Sequence, residues 1–469
     1  MSLYVISDYL EIIKTKNNYN VYHTLLGNLN TLNKDAITLL NYFKKETTIE
    51  KILVHYKPNE EEEIRDYFKL FIELSYIKKA DFDERNIIKE IIESRISKLE
   101  VGGYLGGIQL NVTNSCNFNC HYCFVNSTEE RRGRDNPLTD KTGGSFMNFE
   151  TAKFSIERII DVIKSNNNNE LVIKFFGREP LINWKTIKEI MHYFQKGENH
   201  DMHIAYTITT NGSLINEEVA KVFSDYNMVA NVSIDGTKKS NNAIRTTKKG
   251  SGGTFDSIKK GLDYLYKYNV STSLSAVMTE ANFNDLDTDF IDFAKDYKCK
   301  SVQLLLGMQD NYLDSITPQK IVDKLFKIYS YGITNNVSVL GYWHNAFAQL
   351  FNTEYKNSAK KMKRIMDSCT ATGFQISVEP NGDIYPCKAM SLHLGNINNI
   401  EKVFKSQAYF DVQMRTYGNV DECKNCEIEG FCQGVCLGNI EEKYNNIYRV
   451  DPAFCNIYKK ITRKIVKSI

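Results

Sequence analysis

The 469-residue chain has no run of about eighteen apolar residues, so no segment is expected to cross a bilayer. Its first residues, Met1 to Lys14, lack the basic start, apolar stretch and small-residue cleavage site of a secretory signal. An excess of either charge is missing too. The 59 basic and 57 acidic side chains leave a net charge of +2, which argues against a nucleic-acid binder driven by phosphate contacts. The expectation is a cytoplasmic protein with no membrane and no nucleic acid among its partners. What is present, 42% hydrophobic and 25% charged residues, suits a globular chain of about three domains. Disulfides are not expected among eleven cysteines in a reducing compartment, so their placement carries the information. Three lie within Cys116–Cys123 and seven within Cys369–Cys455, whereas Cys299, alone at a helix end, reads as a small core residue.

The expected division is a small module at 1–80, a linking helix at 81–107, an α/β region at 108–310, a bridging helical region at 311–368 and a cysteine-rich region at 369–469. Within the module, Tyr19 to Leu32 carries a β pattern broken by a turn at Gly27 and Asn28. Asn59 can cap a helix on which Ile64, Phe68, Phe71 and Leu74 recur at helical spacing. From Ile108 onward, six short β-branched runs alternate with amphipathic segments. The runs are Ile108–Val112, Leu171–Phe176, Ile204–Thr209, Ala230–Ile234, Val270–Val277 and Val302–Leu306. Repeated βα units demand a parallel sheet, and six are too few for a closed eight-stranded barrel. They suit a partial (β/α)6 barrel with its active site at the strands' C-terminal ends. Asn126 to Phe146, rich in Arg, Gly, Asp and Thr, reads as a mobile loop or lid.

Cys116, Cys120 and Cys123 follow the first of these strands as Cys-x3-Cys-x2-Cys, three thiolates in one tight loop. Zinc, with His121 as an awkward fourth ligand, is one reading. An iron–sulfur cluster with one iron open to a small molecule is the other. Together with Tyr122, the three cysteines resemble the Cys-x3-Cys-x-aromatic-Cys signature of the radical S-adenosylmethionine (radical SAM) superfamily. That resemblance implies a cluster whose open iron binds the amino and carboxylate groups of the cofactor's methionine part. It also implies a 5′-deoxyadenosyl radical that abstracts hydrogen from substrate.

Three later turns agree with it. Gly177, Arg178, Glu179 and Pro180 are similar to the Gly-Gly-Glu-Pro motif that receives the cofactor's ammonium group, with Arg178 in place of the second glycine. Thr210, Asn211 and Gly212 form the Thr-Asn-Gly turn of the same group. Ser233, Ile234, Asp235 and Gly236, followed by Arg245, resemble the element whose Ser and Asp lie by the ribose and whose Arg lies near the methionine carboxylate. Asn241 and Asn242 stand where a His-Asp pair often precedes that Arg. The cofactor-contact expectations are therefore Tyr122, Gly177, Glu179, Pro180, Asn211, Ser233, Asp235 and Arg245; no catalytic acid or base is assigned.

The second group runs Cys369-x17-Cys387, then Cys423-x2-Cys426-x5-Cys432-x3-Cys436-x18-Cys455. Its spacing resembles the SPASM extension of radical SAM peptide-modifying enzymes, which houses two auxiliary 4Fe-4S clusters; paired zinc ribbons are the alternative. A hairpin through Ile376–Val378, Pro380–Gly382 and Ile384–Tyr385 brings Cys387 back toward Cys369. The resemblance assigns Cys423, Cys426, Cys432 and Cys455 to an outer cluster and Cys369, Cys387 and Cys436 to an inner one. The cofactors implied are SAM and three 4Fe-4S clusters.

Tyr19 to Ile77 is similar to the winged-helix peptide-recognition element found with such enzymes, including the chaperone-like protein of pyrroloquinoline quinone synthesis. A DNA-binding winged helix would want a basic recognition helix, and Glu60 to Glu63 are acidic. The implied activity is that of a radical SAM oxidoreductase and peptide maturase. It would cross-link a ribosomally synthesised precursor peptide bound through its leader, with an external electron donor such as flavodoxin or ferredoxin. Three cysteines at the inner cluster leave room for a substrate thiolate, which favours a Cys-derived thioether. Carbon–carbon or carbon–oxygen cross-linking, epimerisation and formylglycine formation by a sulfatase-maturing enzyme remain the alternatives. The last usually has Asp after the cysteine matching Cys387, where this chain has Lys388.

Overall fold

A computed structural model describes residues 2–133, 145–196, 201–248, 252–307, 313–351 and 369–469. The N-terminal part contains β1 (Tyr4–Ile6), β2 (Leu10–Lys14), β3 (Tyr19–His23), β4 (Gly27–Leu32), helices Lys34–Tyr42, Ile49–Leu53 and Glu61–Glu73, and β5 (Ile77–Lys79). Strands β2, β3 and β4 form an antiparallel sheet in that order, and β1 pairs with β5. Val21, Leu39, Leu40, Phe43, Ile64 and Phe71 bury their apolar faces against one another, which holds this α+β module together. Asn59 does not cap the third helix. A short 3-10 turn, Pro58–Glu60, precedes it, and the Glu60 carboxylate accepts from the Lys57 backbone N–H instead.

The module packs against the rest of the chain. Tyr22 belongs to the main core and stacks edge-on against Phe431, with ring centroids 5.8 Å apart. The Gly430 N–H donates to Thr24 O at 2.8 Å, and a Cβ at Gly430 would fall 1.8 Å from Leu25 O. Arg85, at the start of helix Arg85–Leu99, forks onto the buried Glu429 carboxylate. The β3–β4 turn is therefore docked on the loop that carries Cys426 and Cys432.

All six expected strands form: β6 (Gly107–Asn111), β7 (Glu170–Phe176), β8 (His203–Thr210), β9 (Val229–Ser233), β10 (Thr272–Met278) and β11 (Ser301–Leu306). They pair in parallel and in sequence order. β6 is buried along its whole length, as a central parallel strand covered on both faces must be. The covering helices show one apolar face each; Phe149–Ser165, capped by the Asn148 side chain, buries Ile156, Ile159, Ile160 and Ile163.

The sheet continues beyond the six. A seventh parallel strand, β12 (Ser338–Leu340), extends it past β11, and helix Tyr342–Phe351 begins directly after. On the other side, β13 (Gln375–Val378) pairs in parallel with β6 and turns back into β14 (Asp383–Tyr385), which pairs with β15 (Gly395–Asn396). Ten strands thus form one open sheet, and the cysteine-rich region is stitched to the α/β region through its hairpin. Of the segment read as a lid, Asn126 to Phe146, the first six residues fall in the helix Phe124–Arg131 and 134–144 lies outside the described residues. Most of the later part of the expected bridging region, 352–368, also lies outside them. Among the described residues, no helix is long and apolar enough to cross a membrane.

Candidate active site

The C-terminal ends of β6 to β11 open onto a cavity of about 610 Å³. Cys116, Cys120 and Cys123 line one side of it, and Cys369, Cys387 and Cys436 line another. Backbone contacts hold the first cysteine loop. Asn119 N–H donates to Thr246 O, His121 N–H to Ile244 O, and Cys123 N–H to Cys120 O. Two side chains approach the sulfurs: Asn211 Nδ2 lies 4.0 Å from Cys116 Sγ, and Arg245 Nη1 lies 3.9 Å from Cys120 Sγ. His121 is exposed and does not line the cavity, which removes it from the candidate ligands.

Of the eight expected cofactor contacts, Tyr122, Gly177, Asn211, Ser233 and Arg245 line the cavity, whereas Glu179, Pro180 and Asp235 do not. The two carboxylates are buried behind it. Glu179 accepts from Thr210 Oγ1 at 2.7 Å, Asn211 N–H at 2.7 Å and Leu181 N–H at 3.1 Å, so it ties the end of β7 to the end of β8. Burial pushes its pKa up to about 7 against these hydrogen bonds. Asp235 pairs with Arg245 Nε at 2.6 Å and accepts from the Tyr122 hydroxyl at 2.7 Å and Val277 N–H at 2.8 Å. Asn241, one of the two asparagines that stand where a His-Asp pair is common, accepts from Asp235 N–H and fixes that turn. Glu179 and Asp235 therefore act on the cavity by positioning Asn211, Tyr122 and Arg245.

The Arg178 substitution is accommodated by the backbone. Gly177 has φ +142°, and a Cβ there would meet Thr113 O at 2.4 Å, so this glycine is required for close approach. Arg178 N–H and Glu179 N–H then donate to Thr113 O and Ser115 O, clamping the turn to the chain leaving β6. The Arg178 side chain lines the cavity and reaches Asn126.

In the second cysteine group, Cys432 lies close enough to Cys455, Cys426 and Cys423 to be affected by their charge, and Cys387 close enough to Cys436 and Cys369. Cys436 immediately precedes helix Leu437–Tyr444, and Gly438 on its first turn lets that helix sit against the Cys387 loop, where a Cβ would fall 2.4 Å from Ala389 O. Cys455 lies in the first turn of helix Pro452–Ser468, capped by Asp451. The buried Arg415 guanidinium is close enough to feel Cys423 and Cys432 of one set and Cys369 of the other.

Sequence reasoning missed the charged cluster behind the inner set. Lys388 Nζ, buried, meets Glu129 Oε1 at 3.2 Å and Glu379 Oε1 at 3.7 Å. Arg132 pairs with Glu379 at 2.7 Å and donates to the carbonyls of Cys387, Lys388 and Met390. Glu129 and Arg132 fall where the sequence suggested a lid; their i, i+3 spacing beside a cysteine motif was the available signal. Lys174 on β7 and Tyr342 also line the cavity near the inner cysteines, with no local motif to mark them.

The donor chemistry fits clusters. All eleven cysteines are free, and burial pushes Cys116 up to about 12, Cys120 to about 11, Cys369 to about 11 and Cys455 to about 11. A bound metal's charge would favour the thiolate forms that ligate it. Among the described residues, no group of three or more His, Cys, Asp or Glu side chains is close enough to hold a single metal ion.

Comparison with known proteins agrees. Residues 110–293 match the radical SAM superfamily, and residues 369–427 match the SPASM iron-sulfur cluster-binding domain. The chain is 33% identical over 468 residues to the radical SAM cyclopropyl synthase TigE of Paramaledivibacter caminithermalis, covering 99% of this chain and 96% of that one. The solved structure of native anSMEcpe with bound AdoMet superposes with a TM-score of 0.61 at 21% identity, covering 78% of this chain and 98% of that one. That of Streptococcus suis SuiB bound to precursor peptide SuiA gives 0.55 at 14% identity, covering 96% and 99%. These two share the fold. With cysteine loop, strand-end turns and auxiliary cysteines placed along one cavity, the chain belongs to the radical SAM superfamily of enzymes, in its SPASM-containing maturase branch, with S-adenosylmethionine and multiple 4Fe-4S clusters as cofactors.

Proposed function

We propose that this enzyme matures a ribosomally made peptide by abstracting hydrogen from one of its residues and closing a carbon–carbon bond there, with a cyclopropane as the product class. The observation that supports this reading most is the single cavity faced by both the first and the inner cysteine sets. Bound cofactors would supply a hydrogen-abstracting 5′-deoxyadenosyl radical on one side and an electron acceptor on the other. Ring closure removes two hydrogens, one as an atom and one as a proton with its electron, so it needs both sides. The bond type follows the cyclopropyl synthase, whose likeness runs through the N-terminal module, the sheet and the cysteine-rich region alike.

In this assignment Cys116, Cys120 and Cys123 hold the catalytic cluster, Cys369, Cys387 and Cys436 the inner one, and Cys423, Cys426, Cys432 and Cys455 the outer one. Arg245, held by Asp235, presents a fixed cation to the cofactor's carboxylate, and Asn211 and Ser233 present polar groups from β8 and β9. Lys174 and Arg178 make the substrate side of the cavity cationic. The N-terminal module binds the leader in a winged-helix manner, and a flavodoxin or ferredoxin supplies electrons. Its docking on Gly430 and Phe431 means that leader binding is best tested with surface variants, since deletion of 1–95 would uncover the outer cysteine loop.

A thioether is the second reading, favoured by an inner set of three cysteines that opens to the cavity. Formylglycine formation gains no support from the geometry, because Lys388 stands in place of the acid and its ammonium is fixed by Glu129 and Glu379. Anaerobic co-expression with the short reading frame beside the gene, followed by fragmentation mass spectrometry, tests the choice. Ring closure predicts a residue lighter by two hydrogens with every peptide cysteine still alkylatable. One alkylatable cysteine fewer per link would replace it with the thioether, and an unmodified peptide would contradict both.

A further inference from the structure

The cavity face of the sheet is not the apolar surface that a buried parallel sheet ordinarily presents. Along β9 and β11 the residues turned away from the cavity, Ala230, Val232, Val302 and Leu304, are apolar and fully buried, whereas Asn231 and Gln303 between them line it. Strand by strand, the deep lining from β6 to β11 is Gln109, Lys174, Thr207, Asn231, Ser275 and Gln303. Their main chains are committed to the parallel ladder, so the floor meets a ligand with side chains. Three of the six are carboxamides. Gln109 Oε1 accepts from the Lys388 N–H at 2.8 Å, which leaves its NH2 group to donate. Asn231 Oδ1 is buried and has no hydrogen-bond partner among the described residues. It stands two residues, roughly 7 Å along the strand, before Ser233, and so lies deeper than the strand-end turns expected to meet the cofactor. Among the described residues no Asp, Glu or His lines the cavity.

A peptide drawn into this interior leaves water with an N–H and a C=O on nearly every residue, and each needs a new partner whatever the side chains are. A carboxamide matches a peptide group in both senses, because its oxygen accepts and its NH2 donates. We propose that the cavity floor recognises the main chain of the substrate, with Asn231 Oδ1 accepting a peptide N–H beside the reacting residue. The Gln109 NH2 group and the Gln303 carboxamide take up neighbouring peptide groups from the flanking strands. The substrate backbone then lies toward the sheet, and the reacting side chain is left to face the cysteine loop at the strand ends. Recognition at the reaction centre is set by peptide groups rather than by a particular side chain. The proposal rests on the reading that the substrate is a peptide.

The probe is the precursor peptide found modified on co-expression, synthesised with all its amides and as a series in which each amide flanking the modified residue is replaced in turn by an ester. Each ester removes one N–H. Binding to full-length, cluster-loaded protein is measured by anisotropy with SAM present and no reductant, so that no turnover contributes. One ester should raise Kd about tenfold or more in the unaltered protein and change it less than about twofold in Asn231→Leu, where the acceptor is already gone. Asn231→Ala runs the same cycle if the leucine variant does not fold. An ester penalty of equal size in both proteins overturns the proposal, and so does the absence of a penalty at every position, which the unaltered protein reports alone. A penalty that follows an Asn or Gln side chain of the peptide, and that Asn231→Leu cancels, gives the subsite to a side chain and overturns it too. Loss of SAM binding in Asn231→Leu would assign the oxygen to the cofactor, with the same result. Failure of the all-amide peptide to bind overturns the peptide-substrate reading and this proposal with it, whereas binding without an ester penalty overturns the proposal alone.

Discussion

The two cysteine-bearing sides of the cavity are built by opposite means. On the first, a loop of eight residues is pinned by backbone hydrogen bonds to the ends of neighbouring strands, and its charges are one compact pair, Asp235 with Arg245. On the second, where the three cysteines are far apart in sequence, the loop that carries Cys387 is tied to the α/β region by a buried cluster of Lys388, Arg132, Glu129 and Glu379. A local loop keeps its shape wherever the strands form. The second side depends on long-range charge neutralisation inside a dry interior, where a lone charge is costly.

This contrast ranks the effects of substitution. Arg245→Ala should be the most damaging, because it strands the fully buried Asp235 carboxylate and removes the cation proposed to face the cofactor's carboxylate. A loss of about 3–5 kcal/mol is expected on the scale of a broken buried ion pair, together with loss of SAM binding by calorimetry. Chemical denaturation and a binding titration check the two halves separately. Lys388→Met should cost about 3 kcal/mol, since Arg132 still neutralises part of the acid pair, and it should lower inner-cluster iron while leaving SAM binding intact. Equal effects of Lys388→Met on both sides would erase the distinction between them.

A smaller effect separates the sides by pH. Glu179 has a reference value of 4.5 and is raised to about 7 by burial. Between those values the folded chain holds a proton that the unfolded chain has lost, so this group's stabilisation is present in acid and is lost as pH rises through about 7. Glu179→Gln should flatten that part of the stability–pH curve measured by denaturant titration, although a single amide oxygen cannot keep both the Thr210 contact on Oε1 and the Asn211 N–H contact on Oε2. An unchanged slope would show that Glu179 ionises normally in the fold.

The same contrast explains what could be read from the chain. Every strand from β6 to β11 announced itself, because each is a β-branched run between amphipathic helices, and the cysteine motif and strand-end turns followed at fixed local spacing. The three-residue β12 is too short for such a pattern, and Tyr342 went unnoticed with it. Glu129 and Arg132 were hidden in a polar stretch without apolar periodicity, since their partners lie some 250 residues later in Glu379 and Lys388. Glu179 and Asp235 were found by motif, but only the packing shows that they stand behind the cavity. The packing of the N-terminal module was not legible, because nothing local in Tyr22 or Thr24 points to Phe431 or Gly430.

Iron counting after selective removal of each cysteine set tests the two-sided cavity most directly. Protein prepared anaerobically should hold about twelve irons with matching labile sulfide, and replacing the Cys116, Cys120 and Cys123 set, the Cys369, Cys387 and Cys436 set, or the Cys423, Cys426, Cys432 and Cys455 set by Ala should each remove about four. Only the first replacement should abolish 5′-deoxyadenosine formation from SAM. Zinc in place of iron and sulfide, or iron losses that ignore these three groupings, would contradict the account.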